Sequence, residues 1–344
     1  MIDKSPEMDQ WKELYELMIE LKSLSPWKWL EEHHVFGVEN PETNEIGFVS
    51  VMGAVEEHYS VAVYLGEEGL EKFWDFQENP IDDFAFQRLM EIPQLQASFE
   101  ERDYLYEEDR KIIKKLGFAF RGKQAWPMFR SYSPGFVPWF LSSNEARFLI
   151  HVLQQTLDVS VRAKENPAIL EPKDEGSYLL RKPFQNGDKI QWQDTIWHEP
   201  ALEPETYDVS MDTITIERYN HLDINATALE IDIFMSPSSV HEKNSKPYFP
   251  YVIIILETTN GIILDHKLVP PIPNLKSMWE QVPYTILNML IKSSMKPEKV
   301  YVHSELLYKV LDVLKNNIDL PVILVKELHF AKEAKLSFIE FLQR

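Results

Sequence analysis

The densest run of chemically capable side chains in this 344-residue chain is WPMFRSYSPGFVPWF at 126–140, which holds six aromatic rings and Arg130. Aromatic rings stack on flat ligands and grip proline, and a guanidinium adds a rigid positive fork. On a surface loop the run reads as a stacking or peptide-binding groove, with Arg130, Tyr132 and Trp139 as its contacts. Packed beneath the following helix, it reads as a hydrophobic hairpin, the commoner fate of aromatics. Asp232 also stands out, inside the apolar run Ala228–Met235, because a carboxylate there needs a partner or solvent.

Other reactive chemistry is thin. The absence of cysteine excludes disulfides, thiolate metal sites and cysteine nucleophiles. The ten histidines are scattered. His33 and His34 are adjacent and would point to opposite faces of a strand, and His241-Glu242 falls in a polar loop. There is no HExxH, GxSxG, P-loop or GxGxxG pattern. A serine–histidine triad needs no closeness in sequence, so pattern is silent on it.

The net charge is −20. Residues 1–160 contribute −14, residues 161–224 contribute −6, and residues 225–344 are balanced. Non-specific nucleic-acid binding rests on clustered Lys and Arg, so a protein or peptide is the expected partner. Solubility is the plain reading of the acidity. No apolar run approaches the length of a membrane span, and MIDKSPEMDQW lacks a basic and then apolar leader pattern. A soluble cytoplasmic protein without a cofactor is the expectation.

The elements that would position these residues follow a doubled order. Strands are expected at His34–Glu39, Gly47–Gly53 and Ser60–Gly66, then helices at Glu67–Phe76 and Asp83–Met90. A strand at Leu95–Phe99, a helix at Tyr104–Leu116, a strand at Ala125–Ser131 and a helix to about Val159 complete the first set. Ser142 and Glu145 form a capping box for that helix. The second set has strands at Ala228–Met235, Tyr251–Thr258 and Gly261–Leu268, with Asn260-Gly261 as a tight-turn signal. Helices at Ser277–Ser293, Glu305–Asn316 and the chain's end alternate with strands at Lys299–His303 and Pro321–Val325. An internal duplication would give this order, as would convergent α+β layering. Between the sets, strand-like runs at Tyr178–Lys182, Lys189–Trp197 and Thr213–Arg218 predict a linker with a small antiparallel β insertion. The expected plan is two βββαβαβα-type domains of the α/β or α+β class, at 1–159 and 227–344, flanking an insertion at 160–226.

The order βββαβαβα in the C-terminal half resembles the ribonuclease-H-like fold. GFVSVMG at 47–53, AVYLG at 62–66 and PYFPY at 247–251 resemble bacterial domains of unknown function. Nucleases of the first group hold two Mg²⁺ or Mn²⁺ ions on acids of the first strand, first helix, fourth strand and last helix. The resemblance implies Asp232, with Glu230 on the same face, then Glu280, Glu305 and Glu333. The fourth strand ends in His303-Ser304 rather than an acid. Glu280 also fits a capping box begun by Ser277, and Glu305 a helix first turn. The leading expectation is therefore a non-catalytic binding or interaction protein on a degenerate nuclease-like scaffold. The alternative is a divalent-metal-dependent phosphodiester hydrolase using Asp232, Glu280 and Glu305.

Overall fold

The computed structural model describes residues 4–78, 85–187, 189–200, 206–243 and 245–342. It divides into two units, one of Met1–Ser133 with Pro138–Leu202 and one of Pro134–Val137 with Glu203–Arg344. Each is α/β and built on its own sheet.

In unit 1, helix α1 (Met8–Leu24) precedes the meander β1 (Phe36–Glu39), β2 (Ile46–Met52) and β3 (Tyr59–Leu65). Helices α2 (Gly66–Glu78) and α3 (Ala85–Glu91) follow, then β4 (Gln94–Glu100), α4 (Glu107–Leu116), β5 (Trp126–Tyr132) and α5 (Ser143–Glu165). Of the helix expected over Asp83–Met90, Asp83 and Phe84 lie outside the described residues. The strand period of two sorts the side chains. Val49, Val51, Val61, Val63, Leu95, Ala97 and Phe129 meet α1 and α5, whose Leu14, Met18, Leu149 and Leu153 fill that face. Phe48, Ala62 and Tyr64 point the other way onto Leu70 and Phe73 of α2. Both faces are covered, which is why the central strands read as unbroken apolar runs.

The segment 160–226 corrects the expected insertion. Helix α5 runs past Val159 to Glu165, capped by Ser142 and Glu145 as expected. Strands β6 (Ser177–Asn186) and β7 (Lys189–His198) extend the unit 1 sheet, because β6 pairs in parallel with β1 at Gly37↔Leu180 and Val38↔Arg181. Thr213–Arg218 is helical rather than extended, within α6 (Thr213–Asn220) of unit 2. Asp212 caps α6 by accepting from the Thr215 backbone N–H (2.8 Å) and hydroxyl (2.7 Å). Its buried pair, Thr215 and Tyr219, has helical spacing.

In unit 2, β8 (Asn225–Met235), β9 (Tyr251–Glu257) and β10 (Ile263–Val269) form a meander, with Gly261 at φ 71° in the turn. Helix α7 (Leu275–Lys292), β11 (Pro297–Val302), α8 (Glu305–Asp312), β12 (Val322–Leu324) and α9 (His329–Leu342) follow. The strand order is β10-β9-β8-β11-β12. β9 is antiparallel to its neighbours, while β11 and β12 run parallel to β8.

The doubled element order therefore does not extend to the pairing. The unit 1 order is β5-β4-β3-β2-β1-β6-β7, in which β4 lies antiparallel beside β3. Its counterpart β11 instead crosses over to lie parallel beside β8, the first strand of its set.

Candidate functional site

The central strand of unit 2 carries the acids most capable of chemistry. Glu230, Asp232 and Phe234 alternate with Leu229, Ile231 and Ile233 along β8, so the first three share one face. That face is covered by α9, where Phe234 packs with Val252, Ile254, Leu256, Leu328 and Ala331. Asp232 is 8% exposed and Lys335, which α9 brings to this face, 5%.

Both strand acids have identifiable hydrogen-bond donors. Glu230 accepts the His329 N–H at Oε1 (3.2 Å) and the Ala331 N–H at Oε2 (2.8 Å), capping α9 from a strand about a hundred residues away. The first N–H groups of a helix have no partner within it, and a carboxylate there also meets the positive end of the helix dipole. Burial pushes the Asp232 carboxyl above its usual range, against the pull of the Ile233 N–H, Lys335 and His303. The Ile233 N–H donates to Asp232 Oδ1 at 2.9 Å. His303, exposed at the end of β11, has Nδ1 3.2 Å from the Val325 carbonyl oxygen.

The implied metal set is not assembled. Among the described residues no group of three or more His, Asp or Glu is arranged to hold a metal ion. Glu280 is half-buried in the second turn of α7 and accepts the Asp208 N–H at 3.2 Å. It caps nothing, because Asn274, not Ser277, starts that helix by accepting the Ser277 N–H at 2.8 Å. Glu305 is exposed in the first turn of α8, whose cap is Ser304, and Glu333 is exposed on α9. The residues present do not fit a two-metal centre, which needs several oxygens converging on each ion.

The aromatic run starts as strand β5 and folds back so that Trp139 bridges Ser131, while Pro134–Val137 between them belong to unit 2. Trp139 exchanges backbone hydrogen bonds with Ser131 at 2.8 and 2.9 Å. Arg130 is 3% exposed and grips Asp109 of α4 with two bonds, Nη1 to Oδ1 (3.0 Å) and Nη2 to Oδ2 (2.6 Å). Its guanidinium lies 5.0 Å from the Tyr106 ring and 4.8 Å from that of Phe140. The Tyr132 hydroxyl donates to Gln96 Oε1 at 2.8 Å, and burial raises its pKa to about 12. Half-buried Trp139 packs against Phe140 and Tyr106. Arg130 and Trp139 thus meet through Phe140 and through Tyr106 at the start of α4, with the guanidinium buried, while Tyr132 is held by Gln96 of β4.

An open polar groove of about 450 Å³ lies between α1 and α5. Glu7, Gln10, Glu13, Arg147, His151 and Gln154 line it. Gln154 donates to Glu13 Oε1 (2.9 Å), and Arg147 donates through Nε and Nη2 to Glu42 (2.6 and 2.8 Å). Burial lowers the His151 pKa, and its ring sits 5.8 Å from that of Trp192 on β7. At neutral pH the groove therefore presents glutamates, a paired arginine and an uncharged imidazole. Its residues are dispersed over two helices, and the only sequence signal is the α5 spacing Arg147, His151, Gln154.

Fold and site together define an α/β protein of two units, each with its own sheet. Residues 11–181 match the family model described as Domain of unknown function (DUF7309), and residues 215–339 match Domain of unknown function (DUF6930). No curated protein matches the chain in sequence. No described helix is long and apolar enough to cross a membrane.

Proposed function

We propose that the chain is a non-catalytic binding or interaction protein, bacterial and cytoplasmic, whose unit 2 is a ribonuclease-H-like scaffold without nuclease chemistry. The scaffold part is supported by the order β10-β9-β8-β11-β12, with the first strand of the set central and the second antiparallel to the rest. The observation that carries the non-catalytic part is the use made of the β8 acids. Both Glu230 oxygens accept N–H groups of α9, and Asp232 lies beneath the same helix.

Mn²⁺ titration followed by thermal unfolding tests this reading. Binding to the native state would raise the melting temperature. The expected result is no rise and no cleavage of single- or double-stranded DNA or RNA. A saturable rise abolished by Asp232→Asn would restore the metal-dependent hydrolase.

The proposed partner is a basic protein segment rather than a nucleic acid, taken at the α1–α5 groove. Glu7 and Glu13 line that groove within a stretch of net charge −14. Fluorescence anisotropy with an arginine-rich peptide should show binding that weakens with salt and in the Glu7→Gln/Glu13→Gln variant. Equal or tighter binding of an RNA of matched length would count against it.

A further inference from the structure

We propose that Lys335 is the resident cation of the β8 acids, an ammonium that α9 delivers to the position beside Asp232 and that closes unit 2 to divalent ions. The proposal rests on the non-catalytic reading above and adds to it the group that stands in for the metal.

The first support is register. The Ala331 N–H is pinned to Glu230 at 2.8 Å. Four residues along a helix advance about 6 Å, and the two-residue step from Glu230 to Asp232 advances about 6.6 Å along the strand. With Ala331 fixed over Glu230, Lys335 falls over the next inward-facing position, Asp232. Its Nζ lies 5.6 Å from the ring centroid of Phe234, the residue after that on the same face.

The surroundings are the second support. Phe234, Val252, Ile254 and Leu256 close the face apart from the charges. A carboxylate and an ammonium in such a place are each costly alone and tolerable together. Other charged or titratable groups at this end of the sheet include Glu230, His303, His329 and Glu327, the last paired with Lys332. Of these, Glu230 already has both oxygens engaged.

The third support is what a divalent ion would require. Mg²⁺ and Mn²⁺ need about six ligands, mostly oxygen, with room for water. With Glu230 spent on the helix, one buried carboxylate remains, and Lys335 matches it in charge.

A double-mutant cycle in the full chain tests the assignment, using Asp232→Asn, Lys335→Met and the pair together, with urea midpoints measured with and without Mn²⁺. Each single variant is expected to lower the midpoint, and the double variant to recover most of the loss. Single variants that fail to fold beside a double variant that does fold express the same coupling. Losses that add, or a double variant that fails to fold, overturn the proposal while leaving the non-catalytic reading in place. A Mn²⁺-dependent rise in the parent chain that Asp232→Asn removes overturns both.

Discussion

Arg130 shows how a residue that reads as a ligand contact becomes a structural one. A buried bidentate ion pair contributes little net stability as a pair, yet breaking it leaves an uncompensated charge inside. Arg130→Ala should therefore destabilise unit 1 by about 3–5 kcal/mol, read as a shift in the urea midpoint. A surface role would leave the midpoint within about 0.5 kcal/mol of the parent. The sequence did contain a signal for this pair. Asp109 falls on the apolar side of its helix, four residues after Leu105 and four before Ile113. Lys335 likewise interrupts the stripe Ala331, Ala334, Phe338. A charge placed in an apolar stripe announces a buried partner, but the partner lies elsewhere in the chain, on β5 or β8, and strand periodicity does not say which residue it is. His151 carries a prediction of its own. Its folded pKa lies below the usual value of 6.5, so the unfolded chain binds more protons as pH falls below that value. Stability should be full above the usual histidine range and drop as pH falls through the window beneath it. His151→Gln should flatten that drop when midpoints are compared between pH 8 and pH 5. An unchanged slope would remove His151 as its source.

At the scale of elements, helices with strong local signals were legible and those set by distant contacts were not. The Ser142–Glu145 capping box marks the start of α5 correctly because both partners lie within one turn. In α6, Ile214 and Ile216 alternate with polar residues in a strand-like pattern, and the cap at Asp212 outweighs that alternation. The two strands of the β6–β7 hairpin are legible from their runs, but its place beside β1 depends on a parallel pairing that no local pattern encodes. It is also anchored by Asp194, which accepts from Arg181 of β6 (2.5 Å) and from Arg162 of α5. The start of α9 has its cap on β8 rather than in its own preceding turn. Glu230→Ala should consequently speed amide exchange at His329 and Ala331 while leaving α7 unchanged. Uniform loss of protection across unit 2 would show that Glu230 supports the whole sheet instead.

For the molecule as a whole, one element order yields two different sheets. In unit 2 the chain returns across the sheet to place β11 beside β8, whereas in unit 1 it continues outward from β3 to β4. The order of elements was readable from periodicity and turns. The choice between outward growth and crossover was not, because both bury the same alternating faces. The four residues Pro134–Val137 belong to unit 2 although unit 1 residues flank them in sequence. There the Phe249 N–H donates to the Gly135 carbonyl (2.9 Å) and the Val137 N–H to that of Pro247 (3.0 Å). Gly135 has φ 82°, and a Cβ on it would lie 2.8 Å from Pro271 Cβ. Gly135→Ala should accordingly lower the calorimetric transition of unit 2 by several degrees and leave that of unit 1 in place. A shift of the unit 1 transition alone would contradict this assignment.

That short excursion also fixes a timetable. On the ribosome, Pro134–Val137 emerge before the residues they bind. The chain must lengthen by 111 residues, from Val137 to Tyr248, before the pairing partner of Phe136 exists. At about 5–20 residues per second, that interval is roughly 6–22 s. Unit 1 has all of its own residues by Leu202 and can close during the wait. Unit 2 then receives its first four residues from a loop already displayed, and a nascent chain stalled before Tyr248 would carry that loop unpaired.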